Sequence, residues 1–353
     1  MNQKLRLTLF AVVLFVFCAR GFAEVPTVAA ICERLSPSIV HIETTGGAEK
    51  VGKAIALDEI TGTVLTADGL ILTSGIGLAH QPEAILLRLG DGTRTSAVLL
   101  GTDEQRNISL LKAKLPEGKT LPVPTFAAKE NFQVGQPVFA LGRVLNPQAV
   151  SVTAGILSAK NRMGRLALQT DASTSANNYG GPLVDEQGAV MGILTPLAPK
   201  APNAYAGSEL YDSGVGFAIP IADIQAMVPR LSNGTLKKPS KLGVVFDHPN
   251  PIFSSTKILL VAKGSLAEKV GFKKEDVIQS VNGMATQRGS DVQDALAQCY
   301  LGDTATFVVR RKDQDVTIPV LLEKIEPPEK DPSGLSERVQ VESLEPPAEK
   351  PAG

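Results

Sequence analysis

From residue 38 to residue 220 the chain is a series of short apolar runs, each interrupted by polar positions and closed by a turn signal. Ile39-Val40-His41-Ile42-Glu43-Thr44 predicts a first strand. The same pattern predicts strands at Gly52–Leu57, Thr63–Thr66, Leu70–Thr73, Ala84–Leu89, Arg94–Leu100 and Ser109–Lys112. It continues through Pro137–Leu141, Ser151–Ser158, Leu166–Gln169, Pro182–Asp185, Val190–Leu194 and Val215–Ile219. Asp68-Gly69, Asp91-Gly92 and Gln187-Gly188 are turn dipeptides between them. Many short strands with few helices imply antiparallel sheets closed into barrels. No repeat of fixed period is visible in the residues themselves.

Helical spacing is confined to a few places. Val28, Ile31, Cys32 and Leu35 predict a short helix over Pro26–Ser36. Ile221, Ile224, Met227, Val228 and Leu231 predict a second, which Pro229 should break or kink near its end. Ser290–Tyr300 reads as a third, with Val292, Ala295, Leu296 and Cys299 on one face. Residues 24–235 thus form one domain, 236–241 a basic Pro-containing linker, and 242–324 a second, smaller domain. Residues 325–353 are rich in Pro and Glu and too polar to bury a core, which predicts a disordered tail.

Composition narrows the function classes. The 353 residues carry 35 Lys+Arg against 36 Asp+Glu, so no charge excess or basic stripe points to nucleic acid. With 32 Gly and 24 Pro the chain is turn-rich, and 43% hydrophobic residues suffice for sizeable cores. Lys4 and Arg6, the apolar run Leu7–Cys18 and the small-x-small site Gly21-Phe22-Ala23 predict a secretory signal peptide over residues 1–23. Cleavage leaves Cys32 and Cys299, read as two lone buried thiols. The histidines are His41, on the first strand, His80 and His248. They form no Cys/His cluster, so no metal or cofactor is predicted.

Asp68–Thr73, Asp103–Lys112, Val152–Ser158, Thr170–Ala172, Gly180–Val184 and Gly214–Pro220, taken in order, resemble the trypsin-fold domain of the HtrA (Deg) family of envelope proteases. Asp68-Gly69-Leu70-Ile71-Leu72-Thr73 looks like the lead into that family's catalytic His, and Asp103–Lys112 like its catalytic Asp segment. Val152–Ser158 is similar to the strand before its substrate pocket. Thr170-Asp171-Ala172 and Gly180-Gly181-Pro182-Leu183-Val184 frame its catalytic Ser, and Gly214–Pro220 its closing strand. The resemblance implies a mostly β fold: a trypsin-like double β-barrel followed by a small α+β PDZ domain and the tail. By this framing the His, Asp and Ser positions fall on Ile76, Asn107 and Tyr179. A triad needs a nucleophile, a base and an orienting acid. Isoleucine cannot accept a proton, an amide cannot stabilise a charged base, and a phenol with a pKa of about 10 is a poor substitute for the serine. Asn177 stands where the family usually has a Gly two residues before the Ser, which puts the oxyanion hole in doubt.

The second domain resembles a PDZ domain of the HtrA type, most specifically over Gly264–Gly283. The resemblance implies that Leu242, Gly243, Val244 and Val245 form the carboxylate-binding loop and the strand beside which a peptide adds, with Val292 and Leu296 lining the pocket for its last side chain. Two readings of the whole follow. One is a secreted, periplasmic pseudoprotease that binds unfolded chains or C-terminal peptides of other proteins and forms homo- or hetero-oligomers with HtrA-like proteins. The other is an active HtrA-like serine endopeptidase using an unrecognised nucleophile. Ser173 or Ser175 with His80 would be the relocated pair, against which the residues read as two turn hydroxyls and an exposed loop His.

Overall fold

Helix α1 (Val28–Leu35) starts where Thr27 offers its hydroxyl to the Ala30 N–H, at 3.2 Å. The structure, a computed structural model, describes residues 26–51, 54–55, 57–197, 210 and 213–324. The expected signal peptide and the Pro/Glu-rich tail lie outside those residues. The buried face of α1 is Ile31 and Leu35, one turn apart. Its Arg34 donates to the Gln187 carbonyl in a turn of the second barrel.

Six strands follow: β1 (Ile39–Thr45), β2 (Glu59–Val64), β3 (Leu70–Ser74), β4 (Ala84–Arg88), β5 (Arg94–Asp103) and β6 (Ile108–Ala113). They close into a barrel in the order β1-β2-β3-β6-β5-β4. Val40, Ile42, Ile60, Ile71, Leu87 and Leu111 fill it. A second set is β7 (Pro137–Gly142), β8 (Ser151–Asn161), β9 (Ala167–Thr170), β10 (Pro182–Asp185), β11 (Val190–Leu194) and β12 (Gly216–Pro220). It closes in the order β7-β8-β9-β12-β11-β10, the same path as the first, around Val138, Leu157, Leu168, Leu183 and Met191. Closure pairs every strand on both sides and removes open edges. The fold is therefore the mostly β double barrel expected of the sequence.

Three expectations shift at this level. The strand expected at Gly52–Leu57 is instead a two-residue pairing of Lys50–Val51 with Ala54–Ile55, outside the barrel. The barrel strand is Glu59–Val64 rather than Thr63–Thr66, because Thr66 belongs to a turn that its carbonyl closes by accepting the Gly69 N–H at 3.1 Å. Helix α2 (Ile221–Leu231) runs through Pro229 instead of breaking there. So near the end the proline forfeits a single helical bond, and the last turn is closed by Ser232 N–H to the Val228 carbonyl, 2.9 Å, and by Asn233 Nδ2 to the Pro229 carbonyl, 2.9 Å.

The chain divides into two units after Leu236. Leu236 itself bonds back to the end of β5, its N–H to the Thr102 carbonyl and its carbonyl to the Glu104 N–H. The second unit holds a small sheet of β13 (Val244–Val245) and β14 (Leu260–Val261). It also holds a four-stranded sheet of β15 (Val277–Val281), β16 (Met284–Ala285), β17 (Thr304–Arg311) and β18 (Gln314–Leu321) in the order β16-β15-β17-β18. Helices α3 (Leu266–Val270) and α4 (Gly289–Leu296) complete the α+β unit. Ser265 caps α3 at its start and Gly271, at φ 88°, ends it. Phe272 and Phe307 meet edge to face at 5.2 Å in a core shared with Ile278, Val292 and Ala295. Both cysteines among the described residues are free; Cys299 is buried as expected, whereas Cys32 is only half-buried, because its side of α1 is not the face that packs. Among the described residues no helix is long and apolar enough to cross a membrane.

One buried ion pair secures the second unit. Asp276 is 1% exposed and accepts Arg311 Nε at 2.8 Å and Arg311 Nη2 at 2.7 Å. Burial pulls the Asp276 pKa up, but the Arg311 guanidinium and the Lys273 N–H outweigh it and hold the carboxyl below its ordinary value. A depressed folded pKa contributes stability above the unfolded pKa of about 3.9, and that contribution is lost as pH falls further. Urea titrations of the full chain, read by hydrogen exchange over residues 273–281, should therefore show the second unit weakening below about pH 4. Asp276→Asn should cost about 2–3 kcal/mol at pH 7, less than the roughly 3–5 kcal/mol of a wholly buried pair because the Arg311 side chain is 26% exposed. It should also flatten that acid dependence; an unchanged acid profile would assign it to other carboxylates.

Candidate functional site

The two barrels bring Ile76, Asn107 and Tyr179 to one place. β3 ends at Ser74, and Gly75–Leu78 forms a single tight turn whose first N–H, from Gly75, bonds the Asn107 carbonyl at 2.8 Å. Ser74 Oγ accepts the Ile76 N–H at 3.4 Å and bonds Thr195 Oγ1 at 2.6 Å. Asn107 sits just before β6 with φ 54°, a left-handed value that Asn tolerates better than most residues. Its carbonyl also accepts Thr195 Oγ1 at 2.9 Å, and its Nδ2 donates to the Pro196 carbonyl at 3.1 Å. Tyr179 comes from the β9–β10 loop. It is 4% exposed and packs with fully buried Ile76 in one apolar cluster, flanked by Leu57, Ala79 and Ala176. Where a hydrolase needs a water-accessible proton relay, this region presents an aliphatic side chain against a phenol ring.

The backbone of the same loop is committed as well. Acyl transfer requires two N–H groups aimed at the developing oxyanion. Here Asn178 and Tyr179 N–H both donate to the Ser175 carbonyl, at 3.0 and 3.1 Å. Asn177 N–H donates to Ser175 Oγ at 3.3 Å. Gly180 N–H bonds the Leu194 carbonyl at 2.8 Å and Gly181 N–H the Asn178 carbonyl at 2.9 Å. All five consecutive donors from 177 to 181 have acceptors inside the protein. Sequence reasoning does not single out Ser175 for this role. The available signal is the run Ser175-Ala176-Asn177-Asn178, whose polar side chains readily bond nearby backbone.

Gly180 anchors the loop. Its φ is 86°, and a Cβ there would fall on the Thr61 carbonyl oxygen of β2. Thr63 Oγ1 donates to the Gly180 carbonyl at 3.0 Å, Thr61 Oγ1 to the Asn177 carbonyl at 3.0 Å, and Thr61 N–H to the Tyr179 carbonyl at 3.2 Å.

His80 is not the exposed loop residue expected. It is 2% exposed, and neither ring nitrogen has a hydrogen-bond partner. The turn carrying Ile76 runs straight into it, and its carbonyl is pinned by the Ala48 N–H at 2.9 Å. It therefore makes no hydrogen-bonded dyad with Ser173, which is exposed, or with half-buried Ser175. His41, on β1, is wholly buried, with Nδ1 2.8 Å from the Arg143 carbonyl and Nε2 3.3 Å from Glu43 Oε1. His248 is an exposed loop residue stacked edge to face on Phe253 at 5.7 Å. Among the described residues no group of acidic, Cys or His side chains could hold a metal.

In the second unit the expected peptide-binding residues separate into two sets. The Leu242 and Val292 side chains are 6% and 1% exposed and belong to the core, whereas Val244 and Leu296 pack against that core while partly exposed. Val245 is 50% exposed. Gly243 takes φ 86°, where a Cβ would strike the Ser265 side chain, and its carbonyl accepts the Ala262 N–H at 2.8 Å. β13 pairs only with β14, so its other edge carries no strand among the described residues.

Comparisons with known proteins agree with this architecture. A trypsin-like peptidase domain model matches residues 60–193 and a PDZ domain model residues 240–322. Serine protease HTRA1 of Xenopus tropicalis is 30% identical over 330 residues, spanning 85% of this chain and 67% of the relative. A probable periplasmic serine endoprotease, DegP-like, of Hahella chejuensis is 30% identical over 345 residues, spanning 85% and 71%. The solved serine endoprotease of Yersinia pestis superposes with a TM-score of 0.61 at 25% identity, covering 86% of this chain and all of that one. With a trypsin-type double barrel followed by a PDZ domain, and relatives of that kind along most of its length, the chain belongs to the HtrA family of serine proteases.

Proposed function

We propose that this family member is a pseudoprotease, a trypsin-fold scaffold that presents a peptide-binding PDZ module and does not hydrolyse peptide bonds. The observation that carries the reading is the filled site: Tyr179 packs on Ile76, and Ser175 takes up the N–H groups of 177, 178 and 179. The absence of a base is the heaviest loss, since removing the nucleophile or base of a serine protease costs on the order of a million-fold in turnover. An unformed oxyanion hole costs a further factor of about a hundred to a thousand. The orienting position supplies a neutral amide already bound to the Pro196 carbonyl.

The PDZ module is proposed to bind C-terminal peptides of other proteins, exposed unfolded chains among them. Supporting this are the edge of β13 that pairs with no strand among the described residues, the left-handed turn at Gly243 just before it, and partly exposed Leu296 on α4. Secretion to the periplasm is proposed from the charged and apolar start, Lys4 through Ala23, together with relatives described as periplasmic. Assembly with itself or with HtrA-like proteases fits the same reading.

Three measurements bear on it. The purified protein should leave unfolded casein intact and take up no fluorophosphonate probe; labelling that disappears in Ser173→Ala or Ser175→Ala would instead establish an unrecognised nucleophile. Tyr179→Ser should stay inactive in both assays and lose about 3–5 kcal/mol of stability to urea, the cost of emptying a buried aromatic site. Peptides with a free C-terminus should bind in fluorescence anisotropy, their amidated forms roughly tenfold more weakly or worse, and Leu296→Asp should cost a similar factor. Equal affinity for free and amidated peptides would remove the carboxylate loop from the mechanism.

A further inference from the structure

The second barrel carries a cleft of about 190 Å3 that the peptidase site does not use. Phe132 and Leu168, both buried, form its apolar floor, and Lys129, Lys160, Asn161 and Arg165 surround it. Its charged lining residues are all cationic. Two are held in place: Lys160 Nζ donates to the Phe132 carbonyl at 2.8 Å, and Lys129 Nζ spans both Asp223 oxygens at 2.7 and 2.8 Å. Arg165 makes no hydrogen bond or ion pair with any described residue, so its guanidinium is the uncommitted donor of the group. Pro220, the last residue before α2, lines the same cleft, and that helix start has no side-chain cap. Asp223 in the first turn of that helix already offsets its partial positive charge, so the positive charge of the cleft is that of its cationic side chains.

The backbone beneath Arg165 is unusual. In the turn joining β8 to β9, Asn161, Met163, Gly164 and Arg165 have φ of 57°, 52°, 73° and 63°. Glycine is relaxed at such values and asparagine tolerates them, whereas an arginine and a methionine there store strain. Arg165 therefore holds a strained backbone conformation beside a cleft that two lysines also line.

We propose that this cleft binds a phosphate-class dianion, either inorganic phosphate or the head of a phosphomonoester, with Arg165 as the bidentate donor and Lys129 and Lys160 as flanking charges. The guanidinium fork matches two phosphate oxygens, and the lysines act as point charges on the rest. With Lys129 already paired to Asp223, the charge left over is that of Lys160 and Arg165, which a dianion balances and a monocarboxylate does not. The cleft belongs to the second barrel alone, so phosphate binding there does not require the pseudoprotease reading.

The test uses the full chain at low ionic strength. Sodium phosphate should raise its melting temperature saturably and give an isothermal titration signal, whereas sodium chloride at matched ionic strength should not. Arg165→Gly relaxes the turn, so without phosphate it should melt at or above the parent temperature, yet bind phosphate roughly tenfold more weakly or worse. Arg165→Gln, which keeps the side-chain length, should lose the same affinity and serves if the glycine variant misfolds. Two further arms assign the source: glycerol 3-phosphate in solution, and phosphatidic acid vesicles against phosphatidylcholine vesicles. Tighter binding to phosphatidic acid vesicles than to glycerol 3-phosphate makes the ligand a lipid head group; equal or tighter binding in solution makes it a free phosphomonoester. Equal effects of chloride and phosphate, or unchanged phosphate affinity in both Arg165 variants, would overturn the proposal.

Discussion

Thr61 is the point on which the first unit turns. It is fully buried on β2 and makes four bonds in three directions. Its N–H and hydroxyl donate to the Tyr179 and Asn177 carbonyls, its hydroxyl also accepts the Arg143 N–H at 2.8 Å, and its carbonyl accepts Thr73 Oγ1 at 2.8 Å. One residue of the first barrel thereby fixes both the β9–β10 loop and the end of β7 in the second. A single such bond contributes only about 1 kcal/mol net, but losing it strands buried partners at a further cost of roughly 1–3 kcal/mol each. That asymmetry makes the barrel-to-barrel register hard to alter. The close approach of Gly180 to the Thr61 carbonyl, which no Cβ could survive, has the same effect.

Because the frame is so fixed, the loop keeps its shape whatever side chain stands at position 179. The Gly180-Gly181 turn is demanded by contacts with Thr61 and Leu141 whether or not a nucleophile precedes it. In the space between the barrels Tyr179 and Ile76 bury each other in apolar contact. The loop then satisfies its own N–H groups through Ser175, as any buried backbone donor must be satisfied. Filled side-chain space and satisfied backbone donors thus occur together in one loop.

The duplicated topology shows how loosely a fold of this kind constrains sequence. Both barrels follow the same strand path, yet no period is visible in the residues. A closed barrel asks only that inward positions be apolar and of roughly the right volume, and Val40, Ile42 and Leu87 meet that in one barrel as Val138, Leu157 and Met191 do in the other.

Alternation of apolar and polar residues determined the strands, and the framing segments around Ile76, Asn107 and Tyr179 were enough to place those three residues in the fold. The PDZ-type run Gly264–Gly283 was legible for the same reason: its Gly271 stop and Val277–Val281 strand are local patterns. What local pattern could not carry was the fate of groups whose partners lie far along the chain. His80 is buried because the turn after β3 winds inward, although its neighbours read as a loop. Val292 faces the core rather than a groove because Phe307, Ile278 and their neighbours enclose it. The capture of the loop N–H groups by Ser175 and the convergence of Lys129, Lys160 and Arg165 on one cleft depend on distances that only the closed barrels set. The sequence determined which elements form and which side chains stand at positions 76, 107 and 179; the tertiary structure decided which donors remain free, since that depends on long-range closure rather than on neighbouring residues.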